Sequence, residues 1–174
     1  MQRCVKCGLS NVSRQEVIGR GSIPAKVLFI GEAPGLSEDV QGKPFCGPSG
    51  VILGQAILTA AKLVKLTHIP SYYMTNVVRC RPIDKDGNNR TPTYEEAWAC
   101  FPNLEQVYLD VEPKEVIFLG KVVKDYCLKA WPHGVALDHP AYLLRIGGTE
   151  SPEYIRFVRN LSEVFRRVSN GKAS

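Results

Sequence analysis

Ala25-Lys26-Val27-Leu28-Phe29-Ile30-Gly31, followed at once by Glu32-Ala33-Pro34-Gly35, sets an unbroken apolar run against a Gly- and Pro-containing loop. Continuous rather than alternating apolarity predicts a strand buried on both faces, as in a parallel sheet. The loop after it, extending to Pro48, is where strand-end chemistry is expected. Working outward, residues 72–78, 115–120 and 134–137 supply three further strand signals. Helical periodicity fills the gaps. It covers about 49–64, with Ser49 placed to cap, about 93–109 starting at Thr93, about 121–129, and about 152–168. The last carries Tyr154, Phe157, Val158, Leu161, Val164 and Phe165 as its core stripe. The prediction is an α/β fold, a single three-layer αβα domain with a central, mainly parallel four-stranded sheet.

At 174 residues and 44% apolar content the chain suits one core, so 1–174 is expected to be one domain, with no repeat or low-complexity linker. Lys and Arg outnumber Asp and Glu by 22 to 17. That excess favours mild attraction to polyanions without proving it. No apolar run approaches the ~20 residues of a membrane span, and Met1-Gln2-Arg3-Cys4 does not open like a secretion signal. A cytoplasmic monomer is expected.

Six cysteines without a secretory signal point to reduced thiols or metal ligands rather than disulfides. Cys4 and Cys7 form a C-x-x-C pair within an N-terminal segment, residues 1–24. Cys80 follows the second strand and Cys100 lies in the next helix, so four thiolates converge if the N-terminal segment folds back. A tetrathiolate with a single C-x-x-C pair leans toward a [4Fe–4S] cluster, with zinc as the alternative. Ordinary buried thiols are the structural rival for Cys80 and Cys100. Cys46 and Cys127 fit no ligand spacing and are expected to be packing residues.

Gly31-Glu32-Ala33-Pro34-Gly35 with Glu38-Asp39-Val40-Gln41-Gly42-Lys43-Pro44-Phe45 lacks the frame of a phosphate-binding P-loop. The segment resembles the first motif of the family 4 uracil-DNA glycosylases, the iron–sulfur-cluster class. Asn76-Val77-Val78-Arg79-Cys80-Arg81-Pro82 resembles that family's second-strand motif, and His139-Pro140-Ala141-Tyr142-Leu143-Leu144-Arg145 its late His-Pro motif. The four cysteines match its ligand order. The resemblance runs in order along nearly the whole chain.

It implies a uracil-DNA glycosylase-like fold and hydrolysis of the N-glycosidic bond of a flipped deoxyuridine, leaving an abasic site for base excision repair. The partner implied is uracil-containing DNA, placing the protein with the nucleoid. Phe45 would stack on the base and Asn76 would read O4 and N3–H together. Gly31 and Ala33 would let backbone amides approach. His139 would donate to O2, and Glu32 would orient water or offset oxocarbenium charge, with Asp39 a second choice. Cys4, Cys7, Cys80 and Cys100 would hold the cluster. Leu143, Leu144 and Arg145 would form the wedge that enters the base stack, and Gly47 and Ser49, at a helix start, would meet phosphate. Arg79, Arg81 and Lys43 would add contacts to the DNA backbone.

Each role has a structural rival. Phe45 could be core, Asn76 a strand-end backbone partner, His139 a turn residue, the wedge a buried turn, and Glu38 and Asp39 a helix start or solvated acids. The segment between Cys127 and His139 is shorter than the family usually carries, and Asp138 is an unusual neighbour for the histidine. The departure keeps two alternatives open. One is a glycosylase-like DNA-binding or sensing protein with weak or no catalysis; the other is a glycosylase for another modified base.

Overall fold

The computed structural model describes residues 4–170; Met1-Gln2-Arg3 and residues 171–174 of the expected domain lie outside the described residues. The strands are β1 (Arg20–Gly21), β2 (Val27–Gly31), β3 (Tyr72–Asn76), β4 (Glu115–Leu119) and β5 (Val135–Leu137). The α-helices are α1 (Leu36–Gln41), α2 (Pro48–Leu63), α3 (Tyr94–Val111), α4 (Lys121–Cys127), α5 (Pro140–Arg145) and α6 (Pro152–Asn170). The sheet order is β1-β3-β2-β4-β5, parallel throughout except for β1 against β3.

All five residues of β2 are buried, as its unbroken apolar run requires. Its side chains alternate between two cores. Val27 and Phe29 join Ile117 and Leu119 of β4 against Leu53 and Ile57 of α2 and Phe157, Leu161 and Phe165 of α6. Leu28 and Ile30 join Val116 and Phe118 on the other face, against Phe101, Leu104, Val107 and Val111 of α3 and Val123 of α4. The result is the predicted three-layer arrangement, with helices on both faces of one sheet.

The expected strand count of four is corrected to five among the described residues. β1 is two residues long and ends in glycine, so no periodicity could announce it. The loop predicted from Glu32 to Pro48 contains α1, too short to show a period. Gly47, not Ser49, is the N-cap of α2, with Pro48 in the first turn. Thr93 caps α3 as predicted, its hydroxyl accepting from Glu96 N while the Glu96 carboxylate accepts from Thr93 N. Among the described residues no helix is long and apolar enough to cross a membrane.

Candidate active site

The carboxyl ends of the parallel strands deliver the site. Gly31 and Asn76 are register partners at the ends of β2 and β3. His139 follows β5 after one residue. Between them lies a cavity of about 470 Å³ lined by Glu32, Phe45, Asn76, Thr91, His139 and Arg145, with Ala33, Gly35, Glu38 and Ser49 completing its walls. Ligands in open α/β sheets characteristically bind at this end.

Close approach dictates Gly31. A Cβ there would overlap Asn76 Oδ1 and lie 2.6 Å from Phe45 Cζ, so any side chain would push apart the two groups that frame the cavity. Phe45 is both platform and core, 7% exposed, packed in the α2 and α6 core while its ring faces the cavity. Asn76 is 5% exposed, and among the described residues its carboxamide makes no hydrogen bond to a protein group. Its strand-end rival role is therefore not what the fold uses. The unpaired amide faces the cavity.

His139 is the N-cap of α5, and its Nδ1 accepts from Ala141 N at 3.1 Å. Accepting at Nδ1 places the ring proton of a neutral imidazole on Nε2. Burial, with Arg145 as second cause, holds the imidazole pKa down at about 4, so the ring is a neutral Nε2–H donor at physiological pH. Glu32 is half-buried, and burial raises its carboxyl above the ordinary value while a hydrogen bond with Thr91 pulls the other way. A carboxyl of raised pKa and a neutral donor lining one cavity are suited to acid–base work.

Several expectations on the surrounding loops need correction. Leu143 is 1% exposed and packed in the α2 and α6 core, so it cannot enter a base stack. Leu144 and Arg145 remain exposed on α5, which is a helix rather than a turn. Gly47 is buried and its N–H donates to Glu38 Oε1 at 3.3 Å, so that amide is not free for phosphate; Ser49 does face the cavity. Glu38 and Asp39 stand in the first turn of α1, the helix start expected of them, and are buried rather than solvated. Glu38 also accepts from Gly35 N at 3.1 Å, bracing the motif loop against α2, and Asp39 accepts from Arg14 N at 2.9 Å, fastening the N-terminal segment to α1. That contact leaves Asp39 buried and absent from the cavity lining. Arg79 donates to Asn103 O and Arg81 to Asn89 Oδ1 and Gly87 O, so both are engaged within the protein; Lys43 remains exposed.

The 81–93 loop holds residues that sequence alone did not single out. Its polar run folds on Asp84, whose Oδ1 accepts from Asp86 N and Asn88 N, both at 2.9 Å. Arg90 pairs with Glu96 through two hydrogen bonds of 2.8 and 2.7 Å. This framework presents Asn89, Arg90 and Thr91 to the cavity. Only the Asp-x-x-x-Asn turn chemistry hinted at an ordered loop.

Cys4, Cys7, Cys80 and Cys100 line a second, narrow cavity together with Leu9 and Glu16. All are free thiols. Burial pushes the Cys80 thiol up to about 11, with Cys100 and Cys7 among the lesser causes. Asn103 Nδ2 donates to Cys100 Sγ at 3.6 Å. Among the described residues no group of three or more His, Cys, Asp or Glu is gathered to hold a single metal ion. Cys127 is fully buried in the α3 core, burial pushing its thiol to about 12, as befits a packing residue.

Residues 18–161 match the family described as the uracil DNA glycosylase superfamily. That span takes in Cys80 and Cys100 but not Cys4 and Cys7. A type-4 uracil-DNA glycosylase of Saccharolobus solfataricus is 36% identical over 129 residues, 74% of this chain and 56% of that protein. A second, from Pyrobaculum aerophilum, is 33% identical over 168 residues, 83% of this chain and 81% of that protein. A third, from Thermotoga maritima, is 30% identical over 162 residues, 83% and 80% of the two. The chain thus spans little more than half of the first relative and about four-fifths of the other two. With the αβα fold and the strand-end cavity already in place, these matches mean that the chain belongs to the uracil DNA glycosylase superfamily, alongside its type-4 members.

Proposed function

We propose that the protein is a uracil-DNA glycosylase, acting as a single-domain monomer on uracil flipped out of DNA. The observation that carries this reading is the convergence of Phe45, Asn76, His139 and Glu32 on one strand-end cavity. An extruded uracil stacks on the Phe45 ring. The Asn76 carboxamide pairs with O4 and N3–H, a pattern that cytosine reverses. As the glycosidic bond breaks, negative charge grows on the pyrimidine, and the neutral His139 Nε2–H donates to O2, a preorganised donor of the kind worth about 3 kcal/mol at oxyanion sites. Glu32, opposite in charge to the oxocarbenium-like sugar, orients the attacking water, and Thr91 orients Glu32. Arg145 and Ser49, which line the cavity, and Leu144, exposed beside Arg145 on α5, meet the DNA backbone and the vacated stack.

The four cysteines fit a [4Fe–4S] cluster. Four cysteine thiolates are the donor set that such a cluster would take. Cys4, Cys7, Cys80 and Cys100 line one cavity, so a set of four thiols is at hand to hold it. When bound it supplies structural cross-linking of the N-terminal segment to Cys80 and α3. The protein's own residues do the chemistry.

Purified protein incubated with a single-uracil oligonucleotide and then alkali is expected to cut the strand at the uracil, and Glu32→Ala to abolish the cut. Intact strands from wild type with DNA binding retained would favour the non-catalytic, sensing alternative. Cutting at another modified base but not at uracil would favour the third reading. Iron-rich, brown protein that loses colour in Cys80→Ser or Cys100→Ser is expected; colourless protein carrying zinc would reject the cluster.

A further inference from the structure

The stacking residue of the cavity sits in an unfavourable backbone conformation. Phe45 has φ 52°, in the left-handed region that bulky side chains rarely adopt. Two contacts hold its peptide there. Gly50 packs so tightly beneath it that a Cβ would overlap Phe45 O and lie 2.9 Å from Phe45 Cα. The same carbonyl accepts from Arg20 Nη2 at 2.9 Å. A left-handed residue turns its carbonyl away from the path of an extended chain, so a fixed donor on that oxygen selects the conformer that aims the ring at Gly31 and Asn76.

Arg20 is itself fixed relative to Asn76. It pairs with Met74 across the β1–β3 ladder, two residues before Asn76. The chain just before it is tied to β3 and the segment after it: Ile18 O accepts from Thr75 Oγ1 at 2.8 Å, and Val17 N donates to Arg79 O at 2.7 Å. One short stretch of backbone therefore references the ring of Phe45 to the strand that carries the base-reading carboxamide.

We propose that Arg20 is a positioning residue for base recognition, clamping Phe45 in its left-handed conformation so that the ring plane and the Asn76 amide meet the same flipped base. This rests on the proposed role of Phe45 as the uracil platform. Arg20 is absent from the lining of the cavity. Its removal is expected to weaken substrate binding more than the chemical step, because His139 and Glu32 are held by other elements.

The test compares full-length wild type, Arg20→Ala, Arg20→Lys, Phe45→Ala and the Arg20→Ala/Phe45→Ala double variant on a single-uracil oligonucleotide. Arg20→Ala is expected to raise KM about tenfold with a much smaller change in kcat, the loss of one charge-assisted hydrogen bond. Arg20→Lys should recover part of it, and the double variant should match Phe45→Ala. Amide hydrogen exchange across residues 44–50 should speed up in Arg20→Ala and less so in Arg20→Lys. An impaired Phe45→Ala beside a wild-type-like Arg20→Ala would overturn the clamp and leave the platform standing. A wild-type-like Phe45→Ala would overturn the platform and the clamp with it. Should wild type release no uracil, the proposed activity fails, and unchanged exchange in Arg20→Ala would separately reject the clamp.

Discussion

Lowering the pH tests the state of His139 directly. The gap between the ordinary imidazole value of 6.5 and about 4 in the folded protein corresponds to about 3 kcal/mol. Between those values the unfolded chain binds a proton that the native state refuses, so this contribution is full above pH 6.5 and is lost as the pH falls toward 4. His139→Gln has no such titration. Other ionisable groups are common to both proteins and cancel in the comparison. The difference in unfolding free energy between wild type and His139→Gln, followed by urea denaturation, is therefore expected to move by about 3 kcal/mol against wild type between pH 7.5 and pH 4. For a chain of this size that is roughly 6–12 °C in melting temperature. A nitrogen-detected imidazole spectrum should show the Nε2–H tautomer at pH 7, as the hydrogen bond from Ala141 N requires. Parallel stability curves for the two proteins, or an imidazole that protonates near 6.5, would refute the reasoning and remove the neutral donor from the mechanism.

Gly31→Ala places a methyl where Asn76 Oδ1 and Phe45 Cζ already stand. It should cut kcat/KM by at least about a hundredfold and cost about 1–3 kcal/mol in urea denaturation; a near-normal enzyme would mean the two groups do not share the base. Glu32 carries a raised pKa, so its ionisation on going up through that value destabilises the fold. Glu32→Gln is accordingly expected to melt higher than wild type at pH 7 while losing uracil release, and the wild-type rate should fall as acid protonates this carboxylate. Leu143→Ala should destabilise by about 2–5 kcal/mol, as for a core leucine. Leu144→Ala should leave the melt unchanged and weaken DNA binding, which a gel-shift titration would report.

The main strands were legible because buried parallel strands write themselves as unbroken apolar runs, and 27–31 and 116–119 are both of that kind. α3 was legible at its start because Thr93 and Glu96 form a reciprocal cap. β1 and α1 were not, since two and six residues fall below any period, and their placement is decided by tertiary bonds such as Arg14 N to Asp39 Oδ1. The strand-end pocket residues followed from their motifs. The third wall did not: Asn89, Arg90 and Thr91 reach the cavity through a turn organised by Asp84 and an ion pair to Glu96, and nothing in a polar run says which way it folds. Leu143 was misread for a related reason. Within Pro140–Arg145 the helix packs Leu143 into the α2 and α6 core and leaves Leu144 exposed, and which leucine of the pair turns inward is decided by how α5 docks on α2 rather than by the motif.

The short segment before His139 and its acidic neighbour have a common resolution. Asp138 Oδ2 accepts from Arg156 Nη2 of α6 at 3.1 Å, whereas His139 faces the cavity. Extended backbone sends successive side chains to opposite sides, so adjacency in sequence keeps this carboxylate off the imidazole. Arg145 is the charge that acts on the ring, and it pushes in the same direction as burial. The position of His139 depends on β5, locked to β4 by Leu119 opposite Leu137 and by Gly120 N donating to Leu137 O at 2.8 Å. The turn feeding β5 closes on itself, with Ala130 N and Trp131 N both donating to Cys127 O, and Trp131 stacks on Phe101 and Tyr108.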